Sequence, residues 1–208
     1  KSKTRKRGMA LVPLKFGISF TATHLNQGGA LLVVYMDGSV SCNHGGTEMG
    51  QGLNTKMAQV CADGLGISVD HVRITATDSQ KVPNASATSA SSGADINGAA
   101  IMNATAQMRE RLKPVAARML GCAEGDVTFA NNEVHGGGKS VKWADLTKQA
   151  YMERVGLSVT GFYMTPEIKY DFATLNGRAF YYYCYGAAVS EVEIDTRTGE
   201  WWLKAVDI

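Results

Sequence analysis

An α+β fold of mixed sheets and packed helices is what these 208 residues predict. Three observations lead there. Strand-like and helix-like stretches are interspersed, without the regular strand–helix alternation of a parallel sheet. The last third is rich in β-branched and aromatic residues, the composition of strands. Two segments carry apolar residues at spacings of three and four, the signature of helices with one buried face. The length supports one domain, or two closely packed lobes over about residues 1–118 and 119–208.

Residues 8–20 read as a strand ending at Phe20. Ala30 to Cys42 reads as a hairpin turning at Asp37-Gly38. A glycine-rich stretch follows, and then a helix with Leu53, Met57, Val60, Cys61 and Leu65 on one face. His71 to Ala76 is a short strand. Residues 79–92, rich in Ser, Thr, Asn and Ala, form a long functional loop. A second helix carries Ile101, Ala104, Met108, Leu112, Val115 and Met119, with Pro114 kinking it or starting a new segment. Asp126 to Val134 is a small hairpin closing at Asn131-Asn132, and Gly136-Gly137-Gly138 is a turn. A third helix lies within Ser140–Met152. Phe180 to Ile194 is a long strand, Asp195 to Gly199 a turn, and Trp201 to Val206 the return.

Composition excludes several classes. A net charge of +2 gives no case for a nucleic-acid or membrane partner. The basic run Lys1–Arg7 reads as a solvated segment at a helix end or a cut terminus, rather than a nucleic-acid arm or targeting signal. No apolar run reaches the length of a membrane span, and no signal peptide is visible. Cys42, Cys61, Cys122 and Cys184 are too scattered for an iron–sulfur cluster or structural zinc. They read as core-filling thiols of a cytoplasmic protein. The four histidines show no paired ligand spacing, and His44 reads as an ordinary polar residue.

Residues 44–52, His-Gly-Gly-Thr-Glu-Met-Gly-Gln-Gly, are the most informative stretch. Four glycines let the backbone approach something bulky. A glycine loop opening onto a helix N-terminus offers N–H donors and the positive end of a dipole. Neither the dinucleotide fingerprint nor the phosphate-loop pattern is present, which argues against a nucleotide module. The amide of Gln51 both donates and accepts, so it suits an oxo group or a heterocycle edge as well as it suits capping in solvent.

The full string, continuing Leu53-Asn54-Thr55-Lys56-Met57, closely resembles the molybdopterin-binding segment of the xanthine dehydrogenase and aldehyde oxidase family. The resemblance extends through Lys15–Thr21, Leu25-Asn26-Gln27, Val82-Pro83-Asn84, Thr88–Ser91 and Tyr185–Asp195. It is weaker over about residues 119–150. It implies part of a molybdenum-cofactor-binding domain, with Met49, Gly50 and Gln51 on the pyranopterin and its phosphate. It also implies that Thr88, Ala90 and Ser91 lie beside the molybdenum centre, with no direct metal ligand in this chain. Ser89 stands where many relatives have alanine. Phe20 and Thr21 match a phenylalanine that stacks on a purine and its threonine neighbour. That match favours purine oxidation, hypoxanthine or xanthine to urate, over aldehyde, carbon monoxide or other N-heterocycle chemistry.

The resemblance implies further that electrons leave through 2Fe-2S clusters and FAD, on other domains or subunits, to NAD. The full enzyme is expected to be an oligomer. Glu48 belongs to the binding loop rather than serving as general base. The base glutamate is expected beyond Ile208, and a substrate-gripping arginine before Lys1. A fragment without them is expected to be inactive, and a purely structural fragment is the reading of another class.

Overall fold

The computed structural model describes residues 2–82 and 84–208. Lys1 of the basic run and Pro83 of the resembling segment lie outside the described residues. In chain order the strands and helices are β1 (Arg5–Ile18), β2 (Gln27–Val34), β3 (Val40–His44), α1 (Leu53–Leu65), β4 (Val72–Ile74) and α2 (Gly93–Leu120). There follow β5 (Thr128–Ala130), β6 (Glu133–Gly136), β7 (Lys139–Lys142), α3 (Trp143–Met152) and β8 (Ser158–Met164). The chain continues with β9 (Lys169–Asp171), β10 (Asn176–Arg178), β11 (Tyr182–Asp195) and β12 (Trp201–Asp207). The α+β expectation holds.

Two compact units emerge: residues 20–179, and a discontinuous one built from residues up to 19 together with 180–208. The divisions therefore fall at 19/20 and 179/180, while residue 118 lies inside α2.

In the larger unit a four-stranded sheet runs β4-β3-β2-β8. Its buried residues, Ala30, Leu32, Val34, Val40, Cys42 and Val159, join those of α1, α2 and α3 in one core. Apolar residues at helical spacing explain why α2 is central: Ile101, Ala104, Met108, Leu112 and Val115 are all buried. Small residues set the packing distance. A Cβ at Gly161 of β8 would lie 2.0 Å from the backbone oxygen of Ala100, so only glycine lets strand and helix come this close. Pro114 does not divide the helix, which runs unbroken for 28 residues. Proline here forgoes one backbone bond, to the carbonyl of Glu110; the exposed position of Glu110 leaves that side of the turn to water.

The small hairpin closes through Asn131 and Asn132, both left-handed at φ 56° and 63°. That is the two-residue turn whose twist matches a hairpin, and asparagine tolerates it. β7 occupies Lys139–Lys142, and α3 follows from Trp143 to Met152, within the stretch expected to hold a helix. Trp143 is buried, and its indole N–H donates to the carbonyl of Gly38 at 2.8 Å. β8, β9 and β10 were not expected from the sequence.

In the smaller unit β11 pairs antiparallel with both β1 and β12. The basic run is no helix end. Arg5–Arg7 are strand residues, and Arg7 pairs with Glu191 at 3.2 Å and Glu193 at 3.1 Å. All four cysteines are free thiols. No helix among the described residues is long and apolar enough to cross a membrane.

Candidate functional site

β3 delivers the chain into the glycine loop at His44, and the four glycines then divide into two pairs. Gly45 and Gly46 are packed tightly. A Cβ at Gly45 would lie 2.6 Å from Ala85 Cβ, and one at Gly46 would lie 2.5 Å from Leu53 Cδ2. Gly50 and Gly52 instead take left-handed φ values of 99° and 74°, and a Cβ there would meet nothing within 4 Å. The first pair serves the protein's own packing; the second serves the turn into α1 and faces open space.

The loop is held from beneath. His44 is 2% exposed, and its Nδ1 accepts from the backbone N–H of Gly46 at 3.1 Å. An accepting Nδ1 makes the ring neutral, with its proton on Nε2. Burial pushes the ring below its ordinary 6.5, against the weaker pull of Asn54 and the Glu48 charge. Nε2 is buried with no hydrogen-bond partner. Thr77 Oγ1 donates to the carbonyls of His44 and Gly46.

Glu48 turns back onto the start of α1. Its carboxylate accepts from the backbone N–H groups of Asn54 (2.9 Å), Gly50 (2.9 Å) and Gly52 (3.0 Å). These bonds, that of Asn54 foremost, hold its carboxyl below the ordinary 4.5. An anion so placed complements the orphan donors and dipole of a helix start. Gln51 also bonds within the loop: its Nε2 donates to the Thr47 carbonyl at 2.9 Å, and its Oε1 accepts from the Met49 N–H at 2.6 Å. One amide N–H is left over.

A second loop approaches from the start of α2. Thr88 Oγ1 accepts the Thr47 backbone N–H at 2.8 Å, joining the two loops directly. Ala90 and Ser91 both sit in the left-handed region, at φ 55° and 54°. Non-glycine residues hold such conformations only where their surroundings impose them. Ser92 precedes α2 without making a side-chain capping bond.

Between the loops lies a cavity of about 260 Å³. One wall is Met49, Gln51, Leu53 and Lys56; the other is Thr88, Ser89, Ser91, Gly93 and Ala94. Of the residues singled out from the sequence, Met49, Gln51, Thr88 and Ser91 share this cavity, while Gly50 and Ala90 flank it in the chain. Phe20 and Thr21 are half-buried and are not among its lining. Asn26 clamps the backbone of Phe20, accepting its N–H and donating to its carbonyl, each at 2.8 Å. Sequence reasoning missed the Thr47–Thr88 bond and the burial of His44, and it left Lys56 without a role. Only Glu48 carried a visible signal, an acid just before a helix start.

These walls offer hydroxyls, a carboxamide, an ammonium and a helix start, which is the donor set of a polar, anionic heterocycle. The volume is slightly below the roughly 300–1,000 Å³ of complete ligand pockets, as suits one side of a larger enclosure. No group of three or more His, Cys, Asp or Glu among the described residues is placed to hold a metal. The residues therefore fit the organic part of a cofactor rather than a bare ion.

The chain belongs to the molybdopterin cofactor-binding domain family, which it matches over residues 1–208. Its curated relatives are more particular. It is 45% identical over 207 residues to a xanthine dehydrogenase of Oryza sativa subsp. japonica, covering 100% of this chain and 14% of that protein. To the xanthine dehydrogenase/oxidase of Gallus gallus it is 46% identical, covering 96% and 13%. The chain thus spans about one-seventh of the length of these relatives. Among solved structures, quinoline 2-oxidoreductase from Pseudomonas putida 86 shares the fold, with a TM-score of 0.81 at 23% identity, covering 98% of this chain and 27% of that one. A Cu,Mo-CO dehydrogenase does so at 0.80 and 22%, covering 97% and 26%.

Proposed function

We propose that this chain is part of a molybdenum hydroxylase that oxidises purines, hypoxanthine or xanthine to urate, and that it holds one side of the cofactor. The observation that carries the reading is the meeting of Met49, Gln51, Thr88 and Ser91 around one cavity, in a chain whose relatives are xanthine dehydrogenases. When bound, the molybdenum cofactor supplies the redox chemistry of carbon hydroxylation. The chain's own share is positioning. The Gln51 amide and the Thr88 and Ser91 hydroxyls orient the cofactor, and the small Ala90 permits close approach. Phe20, its backbone fixed by Asn26, is the surface on which the purine stacks, with Thr21 beside it. Glu48 takes no part in proton transfer, because its carboxylate is committed to backbone donors; the general base comes from elsewhere in the enzyme. Electrons leave through 2Fe-2S and FAD domains or subunits to NAD, in an oligomer of the cytoplasm, where free thiols persist.

The test uses the full-length enzyme. Molybdenum should be present at about one per chain. Phe20→Ala should lower kcat/KM for xanthine about tenfold or more, from the usual strength of base–aromatic stacking, and leave benzaldehyde oxidation nearly unchanged. Xanthine turnover at the wild-type level in Phe20→Ala would overturn the purine assignment.

A further inference from the structure

We propose that one apolar face of the smaller unit's sheet is a docking trough for an α-helix, supplied by the same polypeptide from outside these 208 residues. The strand register defines the face, because side chains alternate along a strand and directly paired residues point the same way. On β1 the face carries Val12, Leu14 and Phe16; on β12 it carries Trp201, Leu203 and Val206. These six side chains are 43–66% exposed. Among the described residues the unit contains no helix, and its three strands form a single layer. A sheet with a broad apolar face needs a second layer to bury it, and an exposed patch of this kind marks an interaction surface.

The face is hollow along its middle. Gly186 and Ala188 of β11, with Ala10 and Gly8 of β1, make a floor that crosses the sheet diagonally between the two groups of large side chains. β1 and β12 flank β11, two strand spacings or roughly 10 Å apart, which is about the diameter of a helix. The glycines carry the argument further. A Cβ at Gly8 would meet nothing within 4 Å, and one at Gly186 nothing closer than 3.9 Å. Neither has a positive φ. Glycine weakens a strand interior and is of use there where another backbone comes close. What needs these two glycines therefore lies outside the residues described. A second copy is the poorer occupant: a two-fold contact sets a patch against itself, so hollow would face hollow and leave a void. The curated relatives are about seven times as long as this chain, so one polypeptide of that length has ample chain to fill the trough.

The experiment uses the full-length enzyme. The photocrosslinker p-benzoylphenylalanine is placed at Leu14 or at Leu203, one on each wall, and the products of illumination are read by denaturing gel and peptide mass spectrometry. Both positions should label one segment of the same polypeptide outside the 208 residues, at sites three or four apart, the spacing of a helix face. Crosslinks between two copies, crosslinks to residues 20–179, labelling at every second residue, or no crosslink at all would overturn the proposal. Gly186→Val gives a second readout. On an uncovered sheet the β-branched side chain has room and suits a strand, so it would stabilise. Under a docked helix it overpacks, and the half-life of thermal inactivation should fall about tenfold. An unchanged or longer half-life would count decisively against the helix.

Discussion

Replacing Gly46 with alanine tests whether the glycine loop is built for packing. The new Cβ would lie 2.5 Å from Leu53 Cδ2, 2.8 Å from Asn97 Nδ2 and 3.2 Å from His44 Nδ1. Non-bonded carbon atoms rest at about 3.5–4.0 Å, so the first contact needs a shift of about 1 Å. Leu53 is 2% exposed and Asn97 6%, so neither can swing into solvent. Overpacking of this kind costs about 1–3 kcal/mol, which for a unit of this size lowers the melting temperature by about 2–12 °C. The strain should also reach the cavity, because Leu53 opens α1 and forms part of the wall. Calorimetry and molybdopterin content of the full-length variant are the assays. A Leu53→Val change removes the opposing atom, so the double variant should lose less stability than the two single losses added. A Gly46→Ala protein with wild-type melting and full cofactor, or strict additivity in the pair, would refute the packing argument.

Two further predictions concern pH. Glu48→Gln weakens the acceptor at the start of α1. The native carboxyl sits below its ordinary 4.5, so its stabilisation is complete above that value and is lost as pH falls through the lower native one. Urea midpoints should therefore separate wild type from Glu48→Gln at pH 7 and converge in acid; a constant gap would refute the assignment. His44 works in the same direction. Burial holds its native value below 6.5, so the unfolded chain binds more protons and stability falls as pH drops below 6.5. His44→Asn, which keeps an acceptor near Nδ1 but does not titrate, should show a flatter decline between pH 7 and 5, and an unchanged slope would count against the neutral ring.

How far the sequence could be read follows from what each signal encodes. Helix α2 was legible because Ile101, Ala104, Met108, Leu112 and Val115 repeat at its period, yet Pro114 suggested a break the packed helix overrides. The hairpin at Asn131-Asn132 was legible because its turn chemistry is local. β8 was not, since Gly161 weakens a strand pattern and finds its reason only against Ala100. The unit boundaries escaped because the smaller unit joins residues from both ends of the sequence, β1 against β11. A resembling string singled out Met49, Gln51, Thr88 and Ser91, and the structure brings these four to one cavity. The commitment of Glu48 to backbone donors was not legible, because it depends on how the loop folds back on itself.

Glycine-rich loops are usually taken as the pliable parts of a protein, and this one inverts the expectation. Its glycines are the means by which Glu48, Gln51, Thr88 and Thr77 each reach a backbone partner, so the loop is already assembled before a ligand arrives. Little ordering entropy then remains to be lost on binding. The freedom that is surrendered belongs to the incoming molecule, and a looser fit at this wall would be felt as faster release.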